Sequence, residues 1–358
     1  MTRRMRPVLP GPSCCNRVVI DGHNDVLTRL HDDGAPDDAL LTEGAATITV
    51  PSARAGGLAA GLFAVLPPVP GEWPARTEGG WEIPYHPSVP WEDAARTVGA
   101  LGARLQRLLR ACDGTIRLVR DIADLDACLN GDALGVIFHM EGAEAIDTDL
   151  DALEVWYAAG LRSLGPVWSR ANAFGHGVPF RFPATPDTGP GLTDAGVRLV
   201  RRCAELGIAV DLSHLNAAGF WDVARELDRP LIASHSGVHA LCPSTRNLTD
   251  DQLDAIAASG GLVGINFDTG SLRPEGGDDA DTPVELIAEH ARYVADRCGV
   301  GHVAFGSDFD GATMPGEVAD ASGLPRVLEA LGGAGFGAPE VAQIASGNWR
   351  RVLAAAWD

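Results

Sequence analysis

Lysine is missing from this sequence: all 28 basic side chains among its 358 residues are arginine. Its absence excludes a lysine Schiff base, a P-loop lysine and a carbamylated lysine spanning two metal ions. A side chain that bridges two metals here must therefore be a carboxylate. No run of about 18 apolar residues occurs, the length a membrane span requires. Arg3, Arg4 and Arg6 precede Pro7-Val-Leu-Pro-Gly-Pro12, a stretch too broken by proline to be a signal-peptide core. Residues 352–358 carry no anchor signal. The seven cysteines (Cys14, Cys15, Cys112, Cys128, Cys203, Cys242 and Cys298) are odd in number and include no Cys-x-x-Cys. Scattered reduced thiols in a soluble, cytoplasmic protein are expected. Positive charge is scarce: the formal net charge of −20 argues against nucleic acid and anionic membrane surfaces as partners.

What is present suits a large folded core. The hydrophobic fraction is 46% and the charged fraction 21%, ordinary for a globular chain. Residues 1–16 read as a flexible N-terminal arm. From residue 17 to 358 strand and helix patterns alternate, without a linker, repeat or composition break. Strands are expected near 18–25, 57–66, 133–138, 161–168, 207–214, 230–235, 261–267 and 302–308. Helical spacing predicts helices over 91–112, 149–159, 193–206, 217–227 and 283–298, and Thr249-Asp-Asp-Gln252 is a capping box that opens another at about 250–258. Irregular, Pro- and Gly-rich excursions follow the second strand (67–90) and the fourth (169–191), with Trp73, Trp81 and Trp91 expected to cover the first. Eight strand candidates, most of them separated by helical patterns, predict a single-domain (β/α)8 TIM-type barrel.

Functional groups of such barrels sit at the C-terminal ends of the strands. The residues there are His23 and Asp25, Glu141, His214, His235 and Asp308. Alternate residues of a strand share a face, so His23 and Asp25 point the same way and suit a borderline cation such as zinc. Three imidazoles and at least three carboxylates exceed the needs of one tetrahedral ion and suit two ions sharing a carboxylate and a water. Such a pair makes hydroxide available near neutral pH, and a nearby carboxylate must carry the proton to the leaving group. The reaction class is metal-assisted hydrolysis of a polarised carbonyl. His290 and His302 are expected in packing roles, His139 behind the ligands, and Asp310 as the reserve proton carrier.

Asp21-Gly-His-Asn-Asp25, Glu141-Gly142, Asp211-Leu-Ser-His214, Ser234-His-Ser236, Ser244-Thr-Arg-Asn247 and Gly306-Ser-Asp-Phe-Asp-Gly311 occur in that order. This ordered set resembles the membrane (renal) dipeptidase family, the M19 peptidases of the amidohydrolase superfamily, over roughly residues 17 to 350. The resemblance implies a binuclear zinc dipeptidase acting through a hydroxide shared by its two zinc ions. By position in these motifs, His23 and Asp25 match the ligands of one zinc, His214 and His235 those of the other, and Glu141 the bridging carboxylate. Asp308 matches the acid/base residue, and Arg246 the residue that grips the substrate's C-terminal carboxylate, a bidentate task suited to a guanidinium. The family's habit also implies a homodimer.

One position departs from the family. The histidine usual at the end of the fourth strand, which contacts the scissile carbonyl oxygen, is replaced by Trp168. An indole N–H donates one hydrogen bond and carries no charge. His176, in the excursion beyond, is the candidate to reach back in its place, and Asn266 at the end of the seventh strand is a candidate substrate contact. Trp168 keeps a second enzyme reading open, a zinc hydrolase of another small amide, N-acyl amino acid or lactam. A third reading, from a different class, is a non-catalytic metal-binding barrel acting as a binding protein; Asp308 and the full ligand set speak against it.

Overall fold

The computed structural model describes residues 18–67, 69, 76–77, 79–83 and 85–358. The expected arm at 1–16, Cys14, Cys15 and Trp73 lie outside the described residues. Eight parallel strands form the framework: β1 (Val19–Asn24), β2 (Leu58–Val65), β3 (Leu134–Glu141), β4 (Leu161–Gly165), β5 (Ala209–Val210), β6 (Ile232–Ser236), β7 (Leu262–Ile265) and β8 (Val303–Phe305). They are bonded in the order β5-β4-β3-β2-β1-β8-β7-β6. A parallel bridge between Asp211 and Ile232, with the Leu212 N–H donating to the Ile232 carbonyl at 2.7 Å, brings β5 against β6 and closes the ring. The chain is a (β/α)8-type barrel with helices outside, as its alternating pattern predicts.

Local chemistry explains the elements that carry the ring. The Trp91–Ala111 helix buries Ala94, Val98, Leu101, Leu105 and Leu108, a stripe at three- and four-residue spacing, and has Glu92 and Asp93 in its first turn and Arg110 in its last. The Asp250–Ala258 helix starts at the expected capping box, with Gln252 accepting the Thr249 N–H. Ile20, Ala60, Leu62, Ile137, Ala209, Ile232, Leu262 and Ala304 share one apolar cluster with Trp349, Val352, Leu353 and Ala356 of the Asn348–Trp357 helix. That helix closes the end where the strands begin, and Trp349 reaches inward to donate its indole N–H to the Phe305 carbonyl at 2.9 Å. Gly22 must be glycine there, because a Cβ would lie 2.4 Å from the Trp349 ring.

Three findings differ from the sequence reading. The fourth and fifth strands are shorter than expected, ending at Gly165 and Val210. After Val210, the Asp211 carboxylate takes the N–H of Ser213 two residues on, a turn that competes with the ladder. A short strand, Ile116–Leu118, precedes the Ile122–Leu129 helix and pairs with the first half of β3 on the edge whose second half pairs with β4. Trp91 opens its helix 47% exposed, whereas Trp81 is buried as expected. The two excursions meet: Trp81–Glu82 pairs antiparallel with Arg181–Phe182. Trp81, Ile83, Trp168, Phe180, Phe182 and Cys242 form a separate apolar cluster there.

Candidate active site

A parallel barrel puts the C-terminal ends of its strands on one rim, so donor groups far apart in sequence meet there. β1 contains His23 and runs into Asp25, β3 ends on Glu141, β6 carries His235, and the segments after β5 and β8 carry His214 and Asp308. Glu141 stands at the centre. Its Oε2 is 3.6 Å from His23 Nε2, while its Oε1 is 3.0 Å from His214 Nε2 and 3.4 Å from His235 Nε2. His23 Nε2 is also 3.5 Å from Asp25 Oδ2 and 4.0 Å from Asp308 Oδ1. The donors form three overlapping sets, His23 with Asp25 and Glu141, His214 and His235 with Glu141, and His23 with His235 and Asp308; Glu141 is common to the first two.

The donor set fits divalent cations. Each of the five residues is buried, and among the described residues neither ring nitrogen of His23 nor Asp25 Oδ1 has a hydrogen-bond partner. An unsatisfied buried polar atom costs about 1–3 kcal/mol, so such a concentration needs a compensating ligand. Imidazole nitrogen and carboxylate oxygen are the donors that zinc takes. The charge balance agrees. Burial lifts the Glu141 carboxyl to about 8 against the pull of His23, and Asp25 and Asp308 add to the rise. Burial alone would lower His23, but Glu141, Asp25 and Asp308 outweigh it and hold the imidazole at about 10, so in the metal-free chain it carries a proton that a bound cation would displace. His214 and His235 are pushed well below the ordinary imidazole value, first by burial and then by the nearby Arg246 and His23 cations. They are neutral, the form that ligates.

Backbone strain gathers at the same rim. His214, Asp308 and Asp310 have φ of 66°, 65° and 65°, three of the four positive-φ residues other than glycine among those described. Such positions cost on the order of 1–3 kcal/mol each and persist where surrounding contacts enforce them.

A cavity of about 840 Å³ opens above the cluster and is lined by Asp25, Glu141, Trp168, His214, Arg246, Asn266 and Asp308, among others. A smaller hollow of about 420 Å³ between the Glu285–Cys298 and Leu324–Gly333 helices carries none of these groups. Asn266 donates from Nδ2 to Asp308 Oδ2 at 3.0 Å, and its own Oδ1 accepts the Asp268 N–H at 2.7 Å. Burial raises the Asp308 carboxyl above its ordinary value. The Arg246 guanidinium is buried and donates from Nη2 to the His235 carbonyl at 3.1 Å. Among the described residues no carboxylate pairs with it. Trp168 lies beside the ligands, its ring 5.8 Å from that of His214 and 5.5 Å from Phe180. His176 stands apart: its Nδ1 meets the Gly191 carbonyl at 3.2 Å and its side chain does not line the cavity. Of the supporting residues, His139 bonds Ser163 Oγ at 2.9 Å behind His23, and Asp310 accepts both the N–H and the hydroxyl of Thr47.

Sequence reasoning missed Arg76, whose Nη1 pairs with Asp268 Oδ2 at 2.6 Å and with Asp278 Oδ1 at 3.5 Å. Its guanidinium lies over Trp81 at 5.2 Å and Phe180 at 5.7 Å. His86 was missed as well; it is buried with its ring 5.1 Å from that of Trp168. Both come from the excursion after β2, whose irregular composition gives no periodic signal to read.

Comparison with known proteins bears on this geometry. The membrane dipeptidase (peptidase family M19) profile matches residues 14–357. The chain belongs to this family. Membership makes it a metallo-dipeptidase by class, and its barrel is that of solved members. It is 45% identical to the dipeptidase AC, a metallopeptidase of family M19, over 95% of this chain and 98% of that one, with a TM-score of 0.89. A metallopeptidase from Rhodobacter sphaeroides, solved with a phosphinate mimic of the dipeptide L-Ala-D-Ala, is 44% identical over 95% of this chain and 99% of that one, with a TM-score of 0.90. Among curated sequences, an uncharacterized protein from the pqqA 5′ region of Klebsiella pneumoniae is 45% identical over 72% of this chain and 94% of its own length. No helix among the described residues is long and apolar enough to cross a membrane.

Proposed function

We propose that this M19 dipeptidase is a binuclear zinc enzyme that hydrolyses dipeptides, with Glu141 as the carboxylate shared by the two ions. The observation that carries the reading is the division of Glu141, with Oε1 towards His214 and His235 and Oε2 towards His23. His23 and Asp25 would hold one zinc, and His214 and His235 the other. Zinc ions held there would make hydroxide available near neutral pH and polarise the scissile carbonyl. The chain's own residues do the rest. Asn266 holds Oδ2 of Asp308 and leaves Oδ1 on the side of the cluster; that carboxylate takes the proton of the attacking water and gives it to the departing amine. Arg246, buried and paired with no carboxylate among the described residues, receives the carboxylate of the substrate's C-terminal residue. Trp168 and Phe180 form an apolar wall on one side of the cavity.

The dipeptide mimic bound to the Rhodobacter sphaeroides relative supports this substrate class. A cytoplasmic site of action is part of the reading, supported by Cys112, Cys203, Cys242 and Cys298 standing outside any disulfide. Trp168, in a slot where the family carries histidine, favours a second reading: the same metals acting on another small amide, an N-acyl amino acid or a lactam.

Metal analysis of purified, zinc-reconstituted protein should give two zinc per chain, and a single tightly held ion in excess zinc would sink the two-metal reading. A panel of dipeptides, their C-terminal amides, N-acyl amino acids and lactams separates the two substrate readings. Free dipeptides should be preferred. Arg246→Met should abolish the preference for the free acid over the amide, at a cost of about 2–5 kcal/mol in transition-state binding. Equal turnover of acid and amide by the natural protein would give Arg246 another role.

A further inference from the structure

Asp211 and Ser234 take no part in the chemistry above, yet both lie directly behind His235 at the seam that closes the ring. Ser234 Oγ is 2.5 Å from Asp211 Oδ2 and 2.8 Å from His235 Nδ1. Asp211 Oδ1 accepts two backbone N–H groups, from Ser213 at 3.0 Å and from Ser234 at 2.8 Å. The carboxylate thereby ties the segment after β5 to β6, beside the Asp211–Ile232 bridge. All three residues are buried, and His139 Nε2 lies 3.7 Å from the outer oxygen of Asp211.

A hydroxyl has one proton to give, and a carboxylate accepts only. Ser234 must therefore donate to Asp211 Oδ2, and its oxygen can only accept from His235 Nδ1. The remaining lone pair of Ser234 Oγ is left to the Ser213 hydroxyl 3.3 Å away, and Ser213 Oγ in turn accepts the His235 N–H at 3.1 Å. Every proton in this set has one consistent place. With Nδ1 protonated, His235 carries its lone pair on Nε2, the atom 3.4 Å from Glu141 Oε1. The tautomer of His214 follows from that of His235: its Nε2 lies 3.0 Å from His235 Nε2 and can donate to that lone pair in the metal-free chain, with its Nδ1 accepting from Ser169 Oγ at 2.7 Å.

We infer that Asp211 and Ser234 are positioning residues that fix the ligating tautomer of His235, so that closure of the barrel at the β5–β6 seam also prepares one of the two cation sites. The inference rests on His235 being a metal ligand, as proposed above. It makes a distinctive demand of Asp211→Asn. The two backbone N–H groups hold the amide oxygen in the Oδ1 position, so the amide NH2 must face Ser234 Oγ. That donor reverses the relay. The Ser234 proton then turns to His235 Nδ1, and the ligating nitrogen becomes Nε2–H, which has no lone pair to offer.

The test uses the full-length, metal-free protein labelled with 15N-histidine, in which two-bond 1H–15N correlations read the tautomer of each imidazole. The natural protein should hold His235 in the Nδ1–H form. Ser234→Ala, which keeps both backbone bonds to Asp211, should give a mixture; Ser234→Thr should restore the single form; and Asp211→Asn should invert it. Zinc affinity, measured by competition with a chromophoric chelator, should fall about 10–100-fold in Ser234→Ala, the usual span for the outer partner of a ligating histidine. It should fall further in Asp211→Asn and return in Ser234→Thr. An Nε2–H form in the natural protein, or an unchanged tautomer in both Ser234→Ala and Asp211→Asn, would overturn the inference. His235→Ala provides the separate control. If it binds zinc as the natural protein does, the assignment of His235 as a ligand fails, whatever the tautomer.

Discussion

Where the strands begin, the barrel is sealed by the Asn348–Trp357 helix. Trp349 is fully buried with its N–H bonded to Phe305, Asn348 bonds the carbonyls of Val300 and Val303, and Arg351 caps those of Gly260 and Gly301. Where the strands end, burial is as complete but the rules are reversed. Among the described residues neither ring nitrogen of His23 has a hydrogen-bond partner, His214 and Asp308 hold positive φ, and Glu141, Asp25 and Asp308 converge within a few ångströms of His23. One end of a single fold follows apolar packing, and the other accumulates strain and uncompensated charge. Stability from the sealed end is what allows the ligand end to be destabilised, so mutations at the two ends should affect different measurements.

The largest effect is expected at Glu141. Glu141→Ala should lose both zinc ions or most of their occupancy, because the residue belongs to each of the two donor sets proposed to hold them. Glu141→Gln should do nearly as much harm, since a neutral amide brings no charge to offset two cations. In the metal-free state the same change should raise the melting temperature rather than lower it, because burial already penalises this carboxylate. A fall in metal-free stability together with full zinc occupancy would break the contrast between the ends.

Asp308 comes next. Asp308→Asn should keep both metals and lose about 10²–10⁴ in turnover, the range for a positioned acid/base group. Zinc content and steady-state rate, taken on one preparation, check it; loss of metal would make Asp308 a ligand instead.

The counterpart at the sealed end is Trp349→Ala. It should cost about 3–5 kcal/mol of stability in denaturant titrations, the usual range for a buried aromatic cut to alanine. Zinc stoichiometry of the folded fraction should be unchanged. Weakened zinc binding would mean that the ligand layer rests on Trp349 directly, through its contact at Gly22.

How much of this was legible follows the same division. The eight strands could be read because each is an apolar run, most of them flanked by helical periodicity, and the candidate ligands because they fall at the ends of such runs; the Val26–Asp32 and Val50–Gly56 helices between the first two strands went unread. The Thr249–Gln252 capping box announced its helix through a local rule and is present. Ile116–Leu118 was not legible, since a three-residue strand has no period to detect. Arg76 was hidden for another reason: its partners Asp268 and Asp278 come from the far side of the barrel, and only the fold brings them together. Asn266 could be placed at a strand end, but its bond to Asp308 depends on the path of the chain after β8.

The smallest effect concerns Trp168, in the slot where the family resemblance leads one to expect histidine. The sequence offers two candidates for its role, and the structure places them differently. His176 is turned to the Gly191 carbonyl and away from the cavity, while Trp168 lies in the cavity wall against His214, with the Arg170 guanidinium 5.2 Å from its ring. His176→Asn should therefore leave turnover within about twofold, the scale of a surface change of a few tenths of a kcal/mol. Trp168→Phe keeps the aromatic wall but removes the N–H, so it isolates any hydrogen bond to the carbonyl oxygen. A neutral hydrogen bond contributes about 0.5–1.5 kcal/mol, so the loss should be about 2- to 13-fold in kcat with little change in KM. Trp168→His tests the slot itself. If the small amides preferred by the natural protein are not dipeptides, this change should shift preference towards dipeptides. A sharp loss in His176→Asn with none in Trp168→Phe would show that the loop closes over the substrate and brings His176 to the site.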